Sequence, residues 1–211
     1  MVNKNPNGPT RPMRVRRIPE ADRREMILGA AFKVACRDGI GGLTVRAVAA
    51  EAKVSHALVL FHFERKDRLV RKLLDWVIER TAALHVSEDI ARFPHARDRL
   101  HALLQQEMAR VSNQPEHTRL FLEYWALGAR HEQIRARISA ELERYRTAFR
   151  DIMDEMLEAE QGTLGGVAAD GLAGVAVSWI HGCAVQAMID PAHFDSDKYL
   201  AAVRGLIGRF G

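Results

Sequence analysis

Between residues 43 and 69 the chain reads LTVRAVAAEAKVSHALVLFHFERKDRL. The polar side chains here suit contact with a polyanion better than they suit covalent chemistry. Thr44, Arg46, His62 and Lys66 offer hydroxyl, guanidinium, imidazole and ammonium donors to phosphate oxygens, and such contacts position a protein on a nucleic acid without reading its sequence. The charge distribution agrees. Residues 1–68 carry 14 Lys/Arg against 7 Asp/Glu, whereas residues 69–211 carry 17 against 20, within a total of +4. A basic third on a mildly acidic remainder points to a module facing a polyanion, joined to a body with a separate task. A solvated basic face is the plain alternative that charge alone leaves open.

Motifs for catalysis are missing from the sequence. It contains no G-x-S-x-G, H-E-x-x-H, P-loop or G-x-G-x-x-G pattern, and the expectation is a protein that is not an enzyme and carries no cofactor. Nine histidines invite a metal site, but no spacing sets two of them beside a carboxylate on one helical turn; His95 and His101 fall on different faces. No metal is expected. The acids Asp151, Asp154, Glu155 and Glu158 interleave with arginines, as on a solvated helix face. Two cysteines, Cys36 and Cys183, lie in apolar surroundings without a C-x-x-C pair, which fits a reducing cytoplasm. The first residues have no apolar core of a secretory signal.

These side chains are positioned by helices, since apolar residues recur throughout at steps of three and four and no alternating strand pattern occurs. The expected fold is all-α, with about nine helices and no internal repeat. Residues 1–18, with Lys4, Arg11, Arg14, Arg16, Arg17, three prolines and no acid, read as a disordered basic arm. Helix one carries Ile27, Ala30, Ala31, Val34 and Ala35 and ends at Asp38-Gly39. Thr44 is placed to cap a short second helix, Ser55 to cap a third running to Phe63, and Lys66 opens a longer fourth. Two short helices joined by a tight turn make a helix-turn-helix, whose second helix enters the DNA major groove. At about 100° per residue, Val59 and Phe63 turn inward with Val54, whereas Ala57 and Phe61 face away and Leu58 and Leu60 flank them. An outward face this apolar can read thymine methyl groups; a wholly buried helix is the competing explanation.

The same segment resembles the N-terminal DNA-binding domain of the TetR family of bacterial transcriptional regulators. The resemblance runs through Ala30-Ala31, Gly39, Leu43-Thr44, Arg46, Val48-Ala49, Val54-Ser55, His62-Phe63, Lys66 and Leu69, over roughly residues 20–70. It implies that Thr44, Arg46, Phe61, His62 and Lys66 hold the phosphate backbone, and that His56, Ala57, Leu58 and Leu60, following Ser55, face base edges of a double-stranded operator. Two positions depart from the pattern: Lys53 replaces the usual turn glycine, and Leu60 stands where the family usually has a tyrosine.

Three parts are therefore expected: the arm over 1–18, a helix-turn-helix domain over 19–66, and a helical ligand-binding and dimerisation domain over 67–211. The ending GLAGVAVSWIHGCAVQAMIDPAHFD is similar to the subgroup related to the choline-responsive repressor BetI, which implies a homodimer formed by the last two long helices. Small and apolar residues at Gly174, Ser178, Gly182, Val185, Val203 and Leu206 would form half of a four-helix bundle. The apolar run 167–189 is long enough to cross a bilayer, but Asp170, His181, Gln186 and its glycines favour a buried helix and no membrane. Trp76, Met108, Phe121, Tyr124, Trp125, Tyr145, Phe149, Trp179 and His181 are candidates for an effector pocket, although aromatic stripes are also plain core. The resemblance implies a small-molecule effector, lipophilic or quaternary ammonium; the fourth helix, running from Lys66 at the head to Trp76 in the pocket region, is the expected lever. Two functions are weighed: a ligand-responsive cytoplasmic repressor acting as a homodimer, and a helical interaction protein whose basic region binds RNA or an acidic protein.

Overall fold

The computed structural model describes residues 19–81, 87–159 and 166–207. The expected arm over 1–18 lies outside them. Within the described residues the chain forms ten helices and no strand: α1 (Glu20–Gly42), α2 (Val45–Glu51), α3 (His56–Phe63), α4 (Lys66–Thr81), α5 (Glu88–Ala91), α6 (Ala96–Asn113), α7 (Pro115–Gly128), α8 (Glu132–Ala159), α9 (Ala169–Ile189) and α10 (Ser196–Ile207). The helix beyond the expected nine is α5, a single turn capped by the Ser87 hydroxyl and too short to show a period. Helix α1 also outruns its expected end. It continues past Asp38 to Gly42 through a kink at Gly39, whose φ of +72° is open to glycine at little cost.

Two apolar clusters fill the molecule. The first joins α1–α4 to α7 and the start of α8, through Val34, Leu43, Val59, Phe63, Leu73, Leu120, Tyr124 and Ile138. The second joins α5, α6, the rest of α8, α9 and α10, through Leu103, Met108, Phe149, Ile152, Ala173, Ile180 and Leu200. The first cluster crosses residue 66, because Leu69, Val70, Leu73, Leu74, Val77 and Ile78 of α4 all bury into it. The helix-turn-helix therefore sits on a core it shares with the body. Helix α9 is apolar and long enough to cross a membrane by length and composition; it packs along α8 and α6.

Polar contacts pin the two halves together. On the α1–α4 face, Trp76 Nε1 donates to the Glu25 carboxylate at 3.0 Å and Arg80 pairs with the same group. Between α7 and the head, Glu123 Oε2 accepts the Ile40 N–H at 2.8 Å, and the Tyr124 hydroxyl donates to the Val70 carbonyl at 2.7 Å. Arg137 of α8 reaches Asp75 of α4 at 3.1 Å.

Candidate functional site

Helices α2 and α3 owe their ends to their caps. The Thr44 hydroxyl accepts the Ala47 N–H at 3.1 Å, and the Ser55 hydroxyl accepts the Leu58 N–H at 3.1 Å. Between them Lys53 adopts a φ of +54°, the left-handed turn that a glycine would take without strain. The turn is thus built in spite of the residue at its centre.

Rotation along α3 sorts its side chains. Val59 and Phe63 are fully buried; Ser55, His56 and Ala57 are exposed; Leu58 and Leu60 are half-buried. Phe61 is 75% exposed, an unusual position for a phenylalanine. Arg46 on α2 and Lys66 at the start of α4 are also exposed, and Lys66 Nζ lies 3.3 Å from the Gly41 carbonyl. His62 is a correction. It was expected at the phosphate backbone, but only 8% of it is accessible and its buried Nε2 has no partner. Three residues beyond Val59, about 300° around the helix, it shares the inward face and is closed off beside the rings of Phe61 and Phe63.

The aromatic residues of the body do not converge on one place. Phe121, Tyr145 and His181 line a small, partly open cavity of about 40 Å³ together with Ile78, Arg110, Thr118 and Glu141. Trp125 lies behind that wall, its ring tilted against the His181 imidazole with centroids 4.5 Å apart. The others expected there lie elsewhere. Trp76 packs on Phe32 under the Arg80 guanidinium, Tyr124 is spent on Val70, Met108 and Phe149 fill the second core, and Trp179 packs half-buried against it. A wider cleft of about 1080 Å³ opens between α4 and the α7–α8 corner, but it is lined by solvated groups such as Lys66, Arg71 and Arg130.

Sequence reasoning missed a buried polar cluster, of which Arg110, Thr118 and Glu141 line the cavity and Glu107 lies beside it, bonded to Arg110. Glu107 and Glu141 are only 1% and 3% exposed. Arg110 forms a salt bridge to Glu107 at 2.8 Å and donates to the Tyr145 hydroxyl at 3.2 Å. Glu141 Oε2 accepts from Arg144 at 3.1 Å, whereas its buried Oε1 has no partner, and the buried Thr118 hydroxyl has none either. Burial, then the Arg110 charge, push the His181 imidazole down to about 4, so it is neutral near pH 7. Burial, reinforced by Glu107, raises the Tyr145 phenol well above its ordinary value.

The outer surface of α9 is also apolar. Val175, Val185, Met188 and Ile189 are exposed, and Leu206 of α10 is 57% exposed. Ser178 is exposed, Gly174 and Gly182 are half-buried, and Val203 packs partly into the second core. A methyl group added at Gly171, Gly174, Gly182 or Gly205 would meet nothing within 4 Å. The packing of one chain therefore does not require these glycines.

The profile described as "Bacterial regulatory proteins, tetR family" matches residues 27–73, and that described as "BetI-type transcriptional repressor, C-terminal" matches residues 96–210. The chain belongs to the TetR family. Its relatives are transcriptional regulators with a DNA-binding helix-turn-helix, not enzymes. An HTH-type transcriptional regulator from the dhlA 5′ region of Xanthobacter autotrophicus is 31% identical over 137 residues. That alignment covers 64% of this chain and 63% of the relative, so the chain spans under two thirds of that protein's length. Among solved structures, a transcriptional regulator from Pseudomonas aeruginosa is similar with a TM-score of 0.74 at 24% identity, covering 93% of this chain and 99% of that one. A regulator from Saccharomonospora viridis in complex with choline gives 0.69 at 19% identity, covering 90% and 96%. At such identities these structures speak for the fold. Members of the family bind DNA operators and small-molecule effectors, often as dimers.

Proposed function

We propose that the protein is a cytoplasmic, homodimeric repressor that binds a palindromic operator through α3 and leaves it when a small molecule enters the α6–α9 cavity. The observation that carries the DNA-binding half is the outward face of α3: Phe61, Ala57 and His56 stand in solvent on a helix whose other face is locked by Val59 and Phe63. A helix capped at Ser55, flanked by Arg46 and Lys66, and exposing an apolar ridge fits base-edge readout between phosphate contacts. Residues 19–66 form the reading head in this account, and the rest of the chain forms the effector and dimerisation body.

Dimerisation is favoured by the exposed apolar stripe on α9 and α10, together with glycines that leave room for close approach by a second copy. Effector release is favoured by the geometry of α7. Thr118 and Phe121 face the cavity, and Glu123 and Tyr124, less than two turns on, hold Ile40 and Val70 of the head. A ligand that shifts α7 therefore acts on both anchors of the head. This is a different lever from the expected one, since α4 gives the cavity Ile78 and turns Trp76 away from it. The two reading helices of a dimer must sit about 34–36 Å apart, so a ligand preferring another spacing weakens operator binding by linkage.

The test is fluorescence anisotropy of the full chain on DNA from its own promoter region, with a duplex RNA of equal length as the control. Wild type binds the DNA, and Phe61→Ala weakens binding by about tenfold or more, the scale of one lost contact to the duplex. Equal affinity for RNA and DNA, or an unaltered Phe61→Ala variant, contradicts the reading.

A further inference from the structure

A carboxylate oxygen sealed away from water and bonded to nothing is the oddest feature of the body. Glu141 lies on α8 with its side chain in the cavity wall; Arg144, and Arg137 at 3.9 Å, approach only its Oε2. Oε1 is buried without a donor, as is the Thr118 hydroxyl on the same wall. Desolvating a charged oxygen in this way is costly unless something completes it. Among the described residues, the basic groups on the cavity wall do not complete it. Arg110 is engaged by Glu107 and Tyr145, and burial lowers the imidazoles of both His117 and His181, the latter to about 4.

We propose that the cavity binds a small protonated primary or secondary amine, whose N–H groups are accepted by Glu141 Oε1 and Thr118 Oγ1 between the rings of Phe121 and Tyr145. Each part of the wall selects for this class. The carboxylate demands a cation carrying N–H donors, and aromatic faces favour an ammonium further. A quaternary ammonium has no N–H and leaves Oε1 as it is. A carboxylate ligand would face the Glu141 carboxylate on the wall. The cavity of about 40 Å³ has room for roughly three water-sized groups, enough for an ammonium head and the first carbons of its chain.

The inference rests on the body being the effector domain, and its test is kept apart from DNA. Propylammonium, 1-propanol, propionate and tetramethylammonium are titrated calorimetrically into the full-length protein, with Trp125 fluorescence as a second signal. Propylammonium is expected to bind at least about tenfold more tightly than each of the other three probes, and Glu141→Gln to lose at least about tenfold for propylammonium alone. Thr118→Val loses several-fold. No detectable propylammonium binding, equal binding of propionate or tetramethylammonium, or an unaffected Glu141→Gln protein with wild-type melting overturns the proposal. Because the probe series is run on wild type, the result does not hang on the variant folding. If the amine fails to bind while operator DNA is still bound, only the amine site falls. If the amine binds through Glu141 while DNA does not, the site stands and the regulator reading falls.

Discussion

Phe61, His62 and Phe63 are consecutive residues with different surroundings, and the difference is rotation. Phe63→Ala should cost about 3–5 kcal/mol of stability by emptying a core position. Phe61→Ala should leave stability within about 0.5 kcal/mol and register only in DNA binding; chemical denaturation of both variants checks the contrast. Lys66→Ala should lower affinity about equally on all duplexes and reduce the slope of log affinity against log salt by about 0.9 for one lost phosphate contact. Lys53→Gly should stabilise the protein by roughly 0.5–1 kcal/mol, because the φ of +54° strains any side chain more than it strains glycine. His181 supplies a pH dependence. Its folded-state value near 4 lies below the ordinary 6.5, so the unfolded chain binds more protons between those limits. Stability is complete above about pH 6.5 and falls as the pH drops toward 4, by up to about 3 kcal/mol. His181→Gln should flatten that loss in urea titrations at pH 7 and pH 4.5. Much at this scale was legible in the sequence: the caps at Thr44 and Ser55 and the inward Val59 and Phe63 follow from residue type and spacing. The inward side of His62 followed from the same spacing, but residue type argued for the surface. The buried acids left a readable signal too. Glu141 falls between Ile138 and Tyr145, and Glu107 between Leu104 and Val111, on stripes otherwise apolar.

Among the elements, α7 joins the cavity to the head. Glu123→Ala removes the acceptor of the Ile40 N–H, and a part-buried charged hydrogen bond of this kind is worth about 1.5–3 kcal/mol. The variant should melt earlier, and operator affinity should respond less to any ligand of the cavity; thermal melts and anisotropy with ligand check both. Gly39→Ala should also destabilise, by about 1–2 kcal/mol, because φ is +72° and the new methyl would sit 3.3 Å from Glu123 Oε2. The helices themselves were legible from apolar periodicity, and the Pro115 start of α7 from its proline. The single turn of α5 and the run of α1 through its glycines were not. One has too few residues to show a period, and the other is held by Glu123, 83 residues along the chain. Which aromatics reach the cavity was hidden for the same reason, since packing between helices decides it.

At the scale of the molecule, the head has no core of its own, and α9 exposes apolar surface that the described residues leave uncovered. Leu206→Glu or Gly182→Arg should place charge or bulk on that surface and yield monomers or aggregates with little operator affinity, readable by light scattering. The account as a whole stands on paired reading heads carried by a dimer. Its most direct test is the stoichiometry and salt dependence of the full-length protein on DNA from its own promoter, measured together by sedimentation and anisotropy. The account predicts two chains or a multiple of two on each palindromic site and an affinity that falls steeply with salt. A single chain bound with full affinity, or binding indifferent to salt, would contradict it.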